Sequence, residues 1–201
     1  MRIAFVDGGT YYHHTTYHDP AFTPFFSRNI YVCDMVNENL DDVDCLYIAS
    51  RQNTQDLISI KGLLEGFLAR GGMLVVMGES GLHQWLDGIM WRNGVCNFWW
   101  WLEENANSGL CLTAPDHSLF RYLTLQECTW HHHGGLTPPP GGRSLIEAEE
   151  DGCILFDAQL GGGRVLATTL DPCYHHGSYF MPNSTKFIAG LLRWLKDGAP
   201  R

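Results

Sequence analysis

The segment that most constrains the fold is Met73–Met77, five consecutive apolar residues set directly behind Gly71-Gly72. A run that is apolar at every position, without alternation, fits a strand covered on both faces. Ahead of it, Leu57, Ile60, Leu64, Phe67 and Leu68 share one helical face. Asn53 or Thr54 supplies a cap for that helix, and Gly71-Gly72 stops it. Cys45–Ala49 reads as another strand just before. Strand, helix, strand with short connections means parallel pairing and helices laid on the sheet.

The rest of the chain extends this pattern. Ile3–Val6 reads as a buried strand, followed by a long loop from Gly8 to Pro24. Strands are expected at Ile30–Met35, Leu110–Thr113, Gln126–Trp130 and Ser144–Glu147. Short helices are expected over Asn97–Glu104 and His117–Leu123, the second with Asp116 as cap. Cys153–Ala158 and Arg164–Leu170, joined at Gly161-Gly162-Gly163, form an antiparallel hairpin. A helix from Ser184 to Lys196 closes the chain, with Phe187, Ile188, Leu191, Leu192 and Leu195 on its apolar stripe. The expectation is one α/β domain over residues 1–201, a three-layer sandwich with a mostly parallel central sheet.

Ligands of open parallel sheets bind beyond the carboxyl ends of the strands. Seven of the ten histidines fall at such ends, together with Asp7, Glu79 and Asp171. The residues singled out for binding are Tyr12, His13, His14 and Trp130. His131, His133, His175 and His176 are the candidate metal ligands. Glu79, Ser80, His132 and Asp171 are the candidate catalytic groups. One reading is a divalent metal (Zn, Fe, Mn or Ni) held by imidazole and carboxylate. A second needs no metal: a histidine acts as general base and Glu79 or Asp171 orients it. A third gives the histidines only loop hydrogen bonds and aromatic packing. No HExxH spacing is present, so the sequence does not choose among them. Trp99-Trp100-Trp101 sweeps around a helix and fits core or oligomer contact.

Composition removes other classes. Thirteen Lys plus Arg against 22 Asp plus Glu give a net charge of -9, which disfavours nucleic acid and anionic membrane as partners. Seven Trp, eight Tyr and ten Phe argue against disorder. The seven cysteines are odd in number and form no CxxC, so neither a disulfide framework nor a zinc ribbon is expected, and a reducing cytoplasm is. No run approaches the roughly 18 apolar residues of a membrane helix. The segment from Met1 to Asp7 is too short in apolar residues for a signal peptide.

Three stretches carry a family resemblance: Cys45–Ala49, Leu68 to Gly78 with its Ala-Arg-Gly-Gly centre, and Gly163 to Asp171 leading to the final helix. Together they resemble the class I glutamine-amidotransferase-like (flavodoxin-like) superfamily, and most closely its non-amidotransferase branches such as the trehalose-utilisation-type domains. In true amidotransferases the strand matching Met73–Met77 runs into a Gly-x-Cys-x-Gly turn. Here that turn reads Gly78-Glu79-Ser80-Gly81-Leu82, with Ser80 where the cysteine would be. Where the family places its His-Pro-Glu, this chain has Asp171-Pro172-Cys173. A serine without a positioned base is not an activated nucleophile, so glutaminase activity is not expected. The resemblance implies instead a hydrolase-like enzyme acting on a small polar, sugar-like molecule, and a homo-oligomer. The alternative is a non-catalytic member that binds a ligand or a protein.

Overall fold

The computed structural model describes residues 1–94, 102, 104 and 107–199. Its centre is a ten-stranded mixed sheet. Five strands run parallel: β1 (Ile3–Asp7), β2 (Phe26–Tyr31), β3 (Cys45–Ile48), β4 (Met73–Met77) and β10 (Gly163–Thr168), in the order β2-β1-β3-β4-β10. β9 (Gly152–Leu160) then joins β10 antiparallel, with Val165 opposite Ala158. β8 (Arg143–Ala148) and β7 (Gly135–Thr137) pair with β9, β6 (Leu110–Leu112) with β8, and β5 (Met90–Arg92) with β7, all antiparallel.

The uniformly apolar strands follow from this topology. Successive residues of β4 point to opposite faces. Met73, Val75 and Met77 join one core and Leu74 and Val76 the other, both shielded from water. β1, β3 and β10 divide the same way. One face packs under α1 (Tyr11–His18), α4 (Pro172–Gly177) and α5 (Pro182–Lys196), the other under α2 (Thr54–Ser59) and α3 (Lys61–Ala69). The result is three-layered, mixed and mostly parallel in its centre. No helix among the described residues is long and apolar enough to cross a membrane.

Several local expectations are corrected. The loop expected after β1 contains α1, capped by Thr10. Its sequence, YYHHTTYH, buries only His13 and Thr16, so no apolar stripe announces it. The strand expected at Ile30–Met35 lies earlier, at Phe26–Tyr31, and Val32–Asn37 is a 3-10 turn. Gln126–Cys128 is a 3-10 turn rather than a strand. It starts at a capping box in which Thr124 and Glu127 bond each other's backbone N–H. The long helix after Asn53 breaks at Ile60 into α2 and α3, and Asn53 caps it. Over 118–121 the chain is a 3-10 turn capped by His117, not Asp116. The helix expected over 97–104, with its three tryptophans, lies largely outside the described residues.

Candidate functional site

The parallel strands end on one edge, and the loops beyond them converge on Asp171, three residues past the end of β10. Its side chain is fully buried. Oδ2 accepts from Arg51 Nε at 2.8 Å and lies 2.7 Å from Arg51 Nη2 and 3.5 Å from His133 Nε2. Oδ1 lies 3.0 Å from His175 Nε2 and accepts more weakly from Trp130 Nε1 at 3.4 Å. Burial pushes this carboxyl up; hydrogen bonds from His133 and His175 and the nearby positive charges win, holding it well below the usual carboxylate range. Asp171 is therefore an anion in the interior, with its neighbours arranged around that charge.

Tautomers follow from the partners. Glu79 Oε1 sits 3.0 Å from His133 Nδ1. With Nε2 3.5 Å from Asp171 Oδ2, His133 has a carboxylate, which only accepts, at each ring nitrogen. His175 Nε2 faces Asp171 Oδ1, so it carries the His175 proton. It also lies 3.1 Å from His131 Nε2, which must then present a lone pair. Burial and the adjacent His175 bring His131 down to about 4, so it is neutral at physiological pH. The His175 Nδ1 atom is buried and has no hydrogen-bond partner among the described residues. His131 also lines a cavity of about 280 Å³ with Trp130, His132, Glu149, Glu150 and Asp151. It thus belongs to both the Asp171 cluster and the cavity.

The backbone is tight here. Gly78, at the end of β4, has φ +62, and a Cβ on it would come within 2.9 Å of the Cβ atoms of Asp171 and Ser50. Arg51 is a non-glycine residue with φ +61, a conformation most side chains avoid. Its guanidinium lies 3.7 Å from the centroid of Tyr174, a cation–π contact.

Of the residues singled out in the sequence, the fold brings together Glu79, Trp130, His131, His133, Asp171 and His175. Others go elsewhere. His13 accepts from Gly8 N–H through Nδ1 at 2.9 Å and, through Nε2, donates to the Ser50 carbonyl at 2.7 Å. Both nitrogens are engaged in tying the loops after β1 and β3 together. With Nδ1 accepting, the 3.4 Å approach to Asp7 is not an ion pair. His14 is exposed and packs at a tilt against His18, ring centroids 4.3 Å apart. His132 turns to Asp151, 2.6 Å away. Residues 175 and 176 lie in α4, where neighbours diverge by about 100°. His176 therefore bonds Thr185 at 2.9 Å, and burial lowers its pKa. Ser80 is buried, its hydroxyl has no hydrogen-bond partner among the described residues, and its carbonyl holds Trp85 Nε1. Tyr12 packs edge-on against Tyr174, and burial raises its phenol pKa. Sequence reasoning missed Arg51 and Tyr174. Arg51 follows β3, the clearest strand after β4, and position alone could have flagged it.

No family model matches the chain, and no curated relative does. Solved structures do. The fold matches cytoplasmic protein STM3548 from Salmonella typhimurium, with TM-score 0.59 and 9% identity, covering 96% of this chain and 98% of that one. It matches a glutamine amidotransferase from Thermotoga maritima, with TM-score 0.59 and 8% identity, over 96% and 97%. It also matches a ThuA-like protein from Bacteroides uniformis, with TM-score 0.55 and 11% identity, over 96% and 89%. The architecture is amidotransferase-like. At such identities the likeness is one of fold, and function must be argued from the site.

Proposed function

We propose that the protein processes a small polar molecule at the Asp171 cluster, by hydrolysis or a similar proton-transfer reaction. The observation that carries this reading is the buried Asp171 carboxylate, which gathers Arg51, His133 and His175 from three separate segments. Burying an anion is costly, and a set of partners this converged is where acid–base chemistry is run. His131 and His133, with ring centroids 5.3 Å apart, are the proton-transfer pair. Asp171 holds them in place through His175 and Arg51. Glu79, reaching out to solvent, fixes the His133 ring through Nδ1. Ser80 has no part in this reading, because its hydroxyl is buried and no base touches it.

A metal reading has its own support. One donor atom each from His131, His133 and Asp171 lies within 4.8 Å of the others, and two imidazoles with a carboxylate suit Zn, Fe, Mn or Ni. Against it stands Arg51, whose guanidinium already occupies Asp171 Oδ2. Untagged protein separates the two, assayed for metal by mass spectrometry and for turnover on a panel of glycosides and esters. Metal-free turnover that falls at least 100-fold in His131→Ala and His133→Ala, as loss of general acid–base help does, is the expected result. Turnover intact in both variants overturns the reading. Stoichiometric metal that disappears with His131→Ala moves the site to the metal class. Binding without turnover across the panel would favour a non-catalytic ligand-binding protein.

A further inference from the structure

The geometry points to Arg51 as the anchor for a carboxylate carried by the molecule this site takes. The inference rests on the functional reading above and narrows its substrate class to small monocarboxylates.

Arg51 presents a fork with one edge used and one edge open. Nε and Nη2 hold Asp171 Oδ2 at 2.8 and 2.7 Å. Tyr174 covers one face of the guanidinium. The third nitrogen, Nη1, has no hydrogen-bond partner among the described residues, and Nη2 keeps a second N–H whose closest contact is His133 Nε2 at a long 3.5 Å. The Nη1–Nη2 edge is therefore available, and the side chain is 29% exposed. An arginine held flat on a ring with one edge pinned has little freedom left to lose on meeting a ligand. That pre-organisation favours planar, two-pronged recognition of a carboxylate.

The surroundings define what fits. Tyr174 and Phe180 touch each other edge-on, and Phe180 also packs against His175 while remaining 52% exposed. They give an apolar wall beside the charged fork. Glu79 stands on the other side of His133, 43% exposed, and the chain carries a net charge of -9. A dianion would meet that negative field at twice the cost of a monoanion. A carboxylate on Nη1 and Nη2 would bring the rest of the molecule alongside His133. The strained φ of +61 at Arg51 fits this role, since strained backbone concentrates where a side chain must be aimed.

The test uses the full chain and simple probes at constant ionic strength: acetate, inorganic phosphate and neutral acetamide. Melting temperature is followed against probe concentration, together with the Arg51 Nε–H signal in labelled protein. Acetate at tenfold excess over its dissociation constant should raise the melting point saturably by about 3 °C and shift the Arg51 signal. Both effects should vanish in Arg51→Gln and weaken at least tenfold in affinity in Arg51→Lys. Should Arg51→Gln fail to fold, the Arg51→Gln/Asp171→Asn double variant removes the buried pair together and serves the same purpose. An acetate response that survives in Arg51→Gln, or no saturable response in the wild type, overturns the assignment. So does an equal response to phosphate or to acetamide. His131→Ala distinguishes this from the functional reading. If acetate still binds there but turnover never depended on His131, the reaction assignment fails and the anchor stands. If turnover needs His131 but acetate ignores Arg51, the anchor fails alone.

Discussion

An aspartate paired with an arginine and a histidine occurs twice beside β10, partly buried at Asp157 and fully buried at Asp171, and the two copies differ in how completely they are satisfied. Asp157, on β9, meets Arg164 at the start of β10 in a fork-to-fork pair, with Nε–Oδ1 and Nη2–Oδ2 both 2.8 Å. His117 donates to Oδ2 from Nε2 at 3.2 Å while its Nδ1 accepts from the Leu119 N–H at 3.3 Å. The remaining Arg164 nitrogen bonds the Ala199 carbonyl, and the guanidinium rests over Trp194. Every polar atom in that group has a partner. Asp171, beyond the opposite end of β10, has the same residue types, yet among the described residues the buried His175 Nδ1 has no partner and Arg51 Nη1 makes no hydrogen bond. A closed network fastens β9, β10 and the segment after α5. An incompletely satisfied one, kept in the interior at a cost in stability, is where a ligand has something to do.

The first way to break this comparison is to remove each carboxylate. Asp157→Ala leaves Arg164 only 11% exposed and without its partner, and should cost about 3 kcal/mol, the low end for breaking a buried pair. Asp171→Ala should cost less, about 2 kcal/mol, because Arg51 is more exposed and can turn to water. Urea denaturation of both variants gives the order, and a reversed order refutes the contrast. The pH dependence has a definite sign. Burial pushes Asp157 up, but hydrogen bonds from His117 and Arg164 hold it below its ordinary value. Its contribution is therefore complete above about pH 4 and is lost as pH falls through the lower, folded value. Asp157→Ala should flatten the acid limb of the stability profile.

A second, smaller effect sharpens the comparison from the backbone side. Gly78→Ala places a methyl 2.9 Å from the Cβ atoms of Asp171 and Ser50 at φ +62. Strain and overpacking together should cost about 2 kcal/mol. The displaced neighbour is Asp171 itself, so the acetate response should fall along with the melting temperature. A melt lowered as expected with the acetate response untouched would mean that the position of Asp171 does not govern the fork.

How much of this was legible depended on how each segment keeps its contacts. β1, β3, β4 and β10 are apolar at nearly every position because both faces are covered, and that pattern survives in the sequence alone. The edge to which Asp171 belongs followed from the parallel topology, whereas His131 and His133 were placed there by an expected strand at Gln126–Trp130 that is a 3-10 turn. α1 was hidden because it buries a histidine and a threonine rather than an apolar stripe. The segment ahead of Trp130 was misjudged because the Thr124–Glu127 capping box that starts its 3-10 turn was passed over. The divergence of His175 from His176 needed the knowledge that Pro172 opens a helix. Arg51 was missed because a single arginine after a strand carries no pattern; its importance lies in the partner that β10 brings to it from 120 residues away.

The smallest expected effect is the most discriminating. His175→Phe removes the N–H facing Asp171 Oδ1, a loss of about 1–2 kcal/mol. It also removes the unpaired Nδ1, whose burial costs the folded state a comparable about 1–3 kcal/mol. A phenyl ring suits the pocket, since Trp130, Tyr174 and Phe180 already surround the imidazole with ring centroids 4.7 to 6.4 Å away. The net change should stay within about 1 kcal/mol of zero. His117→Phe makes the matching change in the closed network. There it removes two satisfied bonds and no unpaired atom, so it should cost about 2 kcal/mol. Paired denaturation curves measure the difference directly. If His175→Phe loses as much as His117→Phe, the buried nitrogen was satisfied after all, and the two carboxylate sites are of one kind. If it loses nothing while turnover collapses, stability and function are separated at a single ring, as a site built for a ligand requires.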